Sequence, residues 1–208
     1  KSMNRLNRFS QALRQALLSS ALLLTPGAVT WAAQAPVSAA LASIPADSLY
    51  GLPVALTDAQ GVQFDWREMA GKPVLVTMFY GDCASACPVL IESLQRTIAE
   101  LQPKPGSLKV LMVSLNPQHD TPASLGHLMH MHKIDAGVFR LAVAADEGQT
   151  RAMAAALQIK YRQLDNGEIS HNTRVSLLNA SGQEIASSSQ LKSTADAALL
   201  VELRKALP

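Results

Sequence analysis

Two short apolar runs, Val74–Tyr80 (VLVTMFY) and Leu108–Leu115 (LKVLMVSL), constrain this chain more than any other feature. Each has the length and near-continuous hydrophobicity of a strand buried on both faces. Between them Leu90, Leu94, Ile98 and Leu101 recur at helical spacing, so a helix from about Cys87 to Leu101 separates the strands. The alternation then continues. Asp120-Thr121-Pro122 opens a second helix with proline in its first turn, running to about Lys133. Val138–Val143 reads as a third strand and Glu147–Leu157 as a third helix. Asp165-Asn166-Gly167 and Asn179–Gly182 are turn signals, with Thr173–Leu178 a strand, Gln183–Ala186 its hairpin partner, and Thr194–Ala206 a final amphipathic helix. The expected class is α/β, ordered β-α-β-α-β-α, then a hairpin, then a helix. Its economical form is a central, mostly parallel sheet closed by a C-terminal antiparallel hairpin, with helices on both faces.

Length and composition set the organisation. The chain has 208 residues, 48% hydrophobic, which suffices for one compact domain plus a leader and a linker. Aromatics make up only 4%, so the core must be mainly aliphatic. The net charge of +2 is uneven: Lys1, Arg5, Arg8 and Arg14 precede every acidic residue, and the remainder holds 14 basic against 16 acidic residues. No clustered basic face is left for nucleic acid. The basic stretch, the apolar run Ala16–Leu24, the Pro26-Gly27 break and small residues up to Ala32 have the three-part pattern of a secretory signal peptide. The apolar run is too short to span a bilayer, which takes ~20 residues. The expected division is a signal peptide over 1–32, a flexible Ala/Pro/Ser-rich linker over 33–47 and one domain over 48–208. The mature chain is expected to be exported, to the bacterial periplasm, and soluble with no stable membrane span.

The two cysteines, Cys83 and Cys87, lie four positions apart. Closing so small a loop removes little unfolded-chain entropy, so a reactive or metal-binding pair is favoured over a structural disulfide. The segment Y-G-D-C-A-S-A-C-P follows a buried strand and leads into a helix, with Pro88 in its first turn. The thiols therefore stand near a positive helix pole, which favours thiolate. Thiolates suit either disulfide exchange, with Cys83 and Cys87 as the redox pair, or a soft metal. Thioredoxin-type oxidoreductases have two intervening residues and a later cis-proline. This chain has three, and no proline between Pro122 and Pro208. Instead His171 (G-E-I-S-H-N-T) stands just before the strand at Thr173. Two thiolates and an imidazole suit Cu(I), whereas zinc usually takes four ligands.

A second stretch, G-H-L-M-H-M-H-K, places His127 with His130 at i,i+3 and His127 with Met131 at i,i+4. It reads either as a weak copper entry or handover site or as an ordinary helix. The ordinary reading is preferred, with Leu128 and Met131 facing the core and the histidines of His127–His132 solvated.

These motifs together resemble the SCO/SenC family of copper proteins over roughly residues 50–205. The resemblance rests on L-T-D-A-Q-G from Leu56, G-K-P-V-L-V-T-M-F-Y before the cysteines, C-A-S-A-C-P, V-S-L-N-P-Q-H-D-T-P (Val113–Pro122), and I-S-H followed by V-S-L-L-N-A-S-G. It implies a thioredoxin-like fold in which Cys83, Cys87 and His171 bind copper. It also implies a metallochaperone role: delivering copper to, or keeping reduced the cysteines of, the dinuclear copper site of cytochrome oxidase. The implied partners are a client cuproprotein, such as an oxidase subunit, and a thiol reductase that keeps the pair reduced. The alternative is a thiol–disulfide oxidoreductase acting on a partner's cysteines. Three positions depart from the family pattern: Ala84 where proline is common, Ser170 where an acidic residue often precedes the histidine, and His119 in place of arginine.

Overall fold

A computed structural model describes residues 44–83 and 85–207; the expected signal peptide and residues 33–43 of the linker lie outside the described residues. The first elements form a hairpin, β1 (Ala55–Asp58) and β2 (Gln63–Asp65). The alternating core follows: β3 (Val74–Phe79), α1 (Ala86–Leu101), β4 (Lys109–Ser114), α2 (Pro122–Met131), β5 (Phe139–Ala144) and α3 (Glu147–Ala156). A short hairpin, β6 (Tyr161–Gln163) and β7 (Ile169–His171), precedes a second one, β8 (Val175–Leu178) and β9 (Glu184–Ser188), and α4 (Ala197–Ala206) ends the domain. The α/β class and the order of core elements are those expected from the sequence.

Seven strands form one sheet in the order β2-β1-β5-β4-β3-β8-β9, and β6 pairs with β7 apart from it. Only β3–β4 and β4–β5 are parallel; β1–β2, β1–β5, β3–β8 and β8–β9 are antiparallel. The sheet is therefore mixed, with a parallel centre and antiparallel margins. The N-terminal hairpin that forms one margin was not among the expected elements. Every residue of β3 is buried, as in a strand covered on both faces. The core is dominated by Leu, Val, Ile and Met, with Trp66, Tyr50 and Phe79 its largest fully buried side chains.

Caps and cross-links hold the helices at the sheet. Thr121 and Ser124 form a capping box at the start of α2, with Pro122 in the first turn. The Asp196 carboxylate accepts from the Ala198 and Leu199 N–H groups at the start of α4. The Asp196 N–H in turn donates to Thr97 Oγ1 on α1 at 2.9 Å. On α2 the buried residues are Leu125 and Met129, while Met131 is 63% exposed. This corrects the expectation that Met131 faces the core. Leu125 and Met129 stand at i,i+4 and form a continuous apolar ridge, so the helix is rotated to bury them.

Candidate metal centre

Strand β3 ends at Phe79, and the chain turns through Tyr80–Ser85 before α1 begins. The turn is pinned from the neighbouring strand. Gly81 N–H donates to Asp120 Oδ2 at 3.0 Å, and the Ser114 hydroxyl donates to the same oxygen. Asp120 is buried, and Ser114 Oγ also accepts from the Asn116 N–H at 2.8 Å. A Cβ at position 81 would come within 3.2 Å of Asp120 Cγ and closer still to Oδ1. Glycine thus lets the cysteine turn lie directly on the segment that opens α2.

The two thiols are brought together at the N-terminus of α1. Ser85 occupies the N-cap position but makes no side-chain cap. Cys83 Sγ takes that place, accepting from the Cys87 N–H at 3.3 Å. Both cysteines are reduced and buried. Their acidities diverge. Burial raises the Cys83 thiol, but hydrogen bonds from the Cys87 thiol, the Cys87 and Ser85 backbone and the Tyr80 hydroxyl outweigh it and hold it below the ordinary value. Cys87 is pushed well up, first by burial and then by its hydrogen bond to Cys83. Cys83 is therefore the more acidic of the two sulfurs and Cys87 the less acidic.

His171 comes near for a topological reason. Strand β8 runs antiparallel to β3, with Val175 opposite Thr77, so the chain entering β8 passes beside the chain leaving β3. The Thr77 hydroxyl donates to the Arg174 carbonyl at 2.7 Å and locks this passage. Asn172 closes the base of the β6–β7 hairpin, its Oδ1 accepting from the Lys160 N–H at 2.6 Å. His171 thus ends a short strand paired with Tyr161, where the sequence reading had a loop. Its Nδ1 lies 3.1 Å from the Asn172 carbonyl oxygen, which makes Nδ1 the protonated nitrogen and leaves the Nε2 lone pair free. Burial lowers its pKa, so the ring is neutral at physiological pH.

Tyr80 stands between the sulfurs and the imidazole. Burial, with the neighbouring Cys83, pushes its pKa up to about 12. Its ring meets the His171 ring edge-on, with centroids 6.0 Å apart. Among the described residues, no three His, Cys, Asp or Glu side chains are drawn close enough together to hold a metal ion. The structure therefore brings Cys83 and Cys87 together and leaves His171 one ring away. The donor chemistry fits a soft monovalent cation: two cysteine sulfurs, which a metal would bind as thiolates, and a neutral imidazole. Tyr80, Ser114 and Asp120 were missed as site residues in the sequence. Tyr80 read as the end of a strand and Asp120 as the start of a helix.

Comparisons with known proteins agree with this architecture. No curated protein sequence matches the chain. A proposed electron transfer protein from Aquifex aeolicus VF5 superposes with a TM-score of 0.65 at 22% identity, over 79% of this chain and 89% of that one. A SCO1/SenC family lipoprotein from Bacillus anthracis gives 0.66 at 17% identity, over 74% and 94%. Yeast Sco1 with copper bound gives 0.62 at 18% identity, over 75% and 88%. The fold is the thioredoxin-like one of these Sco structures. The SCO1/SenC family model spans residues 44–206, essentially the whole described domain, and this chain belongs to that family.

Proposed function

We propose that this chain is a copper(I) metallochaperone that binds one ion through Cys83, Cys87 and His171 and passes it to an exported cuproprotein, an oxidase subunit being the first candidate. The observation that carries the reading is the donor set: two reduced sulfurs at one helix N-terminus, with a neutral imidazole whose Nε2 is free. Membership of a family whose yeast relative holds copper supports it. Copper would be held by Cys83 and Cys87 as thiolates, the Cys87 proton being displaced, with His171 completing the set once the Tyr80 ring between them gave way. No helix among the described residues is long and apolar enough to cross a membrane. A reductase partner keeps the pair in the thiol form.

The unequal thiols favour a second reading. An acidic Cys83 beside a protonated Cys87 is the pairing of attacking and resolving groups in thiol–disulfide exchange. Anaerobic Cu(I) titration of the reduced chain separates the two. One equivalent is expected to bind, with affinity falling on replacement of Cys83, Cys87 or His171. If His171→Ala bound copper as tightly as the parent, the three-ligand site would be wrong and thiol exchange would become the leading function.

A further inference from the structure

From the solvent face of α2 we infer a second site for a soft monovalent cation, built from His127, His130 and Met131 and separate from the cysteine turn. At 3.6 residues per turn these three side chains fall within about 100° of arc. That arc lies opposite the ridge of Leu125 and Met129, which the core takes. His127 and His130 are both exposed, and Met131 is 63% exposed although a buried thioether would be worth more to stability. Spacings of i,i+3 and i,i+4 bring such side chains to about 5–6 Å between Cβ atoms, close enough for both imidazoles and the thioether to reach one ion.

The neighbouring residues define the limits of the site. His132 is excluded, because it is the half-buried C-cap of α2 and its carbonyl accepts from Gln95 Nε2 of α1 at 3.0 Å. Met129 is excluded by burial. His130 and Met131 occupy the last turn of α2, at the negative pole of the helix dipole. A cation held there is favoured by that pole, and none of the three ligands has to give up a charge partner. Neutral nitrogen with thioether sulfur is a donor set for a soft d10 ion, Cu(I) above all, and a poor one for Mg²⁺ or Ca²⁺. Without thiolates the site binds more weakly and exchanges faster than the cysteine pair. It would collect metal at the surface.

Silver(I), a redox-inert soft monovalent ion, is the probe. In the full chain carrying Cys83→Ser and Cys87→Ser, one equivalent of silver should shift the Met131 methyl signal and the His127 and His130 ring signals in NMR spectra, leaving His132 and Met129 unmoved. Adding His127→Ala and His130→Ala should weaken silver binding by more than about tenfold, since even the loss of a group behind a metal ligand costs that much. If the cysteine substitutions unfold the chain, the same signals are read in the parent protein during the second equivalent. Silver that leaves the Met131 methyl unmoved, or binds equally well after the histidines are removed, would overturn the site. Neither result bears on the cysteine site, which is tested separately.

Discussion

Substituting Gly182→Ala tests how the N-terminal segment is fastened beneath the sheet. Gly182 has φ of 83°, a left-handed conformation that an alanine adopts at a cost of about 1–2 kcal/mol. An added Cβ would also lie 2.6 Å from Ser48 Oγ and 2.7 Å from Tyr50 Cγ. Neither neighbour can retreat. Tyr50 is buried edge-on against Trp66, with centroids 5.2 Å apart, and Trp66 is anchored by its own Nε1–H donating to the Leu52 carbonyl at 2.8 Å. Ser48 Oγ donates to the Ser181 carbonyl and accepts from the Tyr50 N–H, while the Leu49 N–H donates to the Gly182 carbonyl at 2.9 Å. Overpacking of this kind costs a further ~1–3 kcal/mol. The total is about 2–5 kcal/mol, which for a domain of this size lowers Tm by roughly 4–20 °C. Gly61 supplies the control: its φ is 79°, but nothing lies within 4 Å of an added Cβ, so Gly61→Ala carries the backbone strain alone. Calorimetry of the reduced protein should find Gly182→Ala the more destabilising of the two. In a Tyr50→Ala background the excess should shrink by the tyrosine's share, leaving the part due to Ser48 Oγ. If both glycine substitutions cost the same in the parent, Tyr50 is free to move and the fastening described here is wrong.

Two further outcomes follow from the site. Near neutral pH, iodoacetamide should alkylate Cys83 ahead of Cys87, because Cys83 is both the more acidic and the less deeply buried thiol; peptide mass spectrometry showing Cys87 modified first would reverse the assignment. Because His171 has a folded pKa below its ordinary value of about 6.5, the unfolded chain takes up that proton first as the pH falls. Its contribution to stability is therefore full above that value, is lost as acidification proceeds towards the folded pKa, and is constant below it. His171→Gln should flatten the pH dependence of the urea midpoint in that window, and an unchanged slope would place the imidazole in solvent.

The alternating apolar runs and helical spacings were enough to read the β3-α1-β4-α2-β5-α3 core, because each of those elements buries a face that its own residues define. The cysteine turn was equally legible, since Pro88 admits only the first turn of a helix at that point. The phase of α2 was not. Leu128 with Met131 and Leu125 with Met129 are both helically spaced pairs, and only the surface beneath the helix chooses between them. The β1–β2 hairpin was missed because strands of four and three residues carry almost no period. It is held by pairing with β5 and by the Arg140–Asp58 ion pair at 2.8 Å, contacts between residues far apart in the chain.

The candidate site divides in the same way. The sequence by itself placed two thiols at a helix N-terminus and, through a family resemblance, nominated His171 as their partner. Only the tertiary structure decided that Asp120 pins the turn through Gly81 and Ser114, and that Tyr80 stands between Cys83 and His171. Periodicity reports which side of its own element a residue occupies. Which distant residue it meets is set by strand order and register, and here the antiparallel return of β8 beside β3 made that choice.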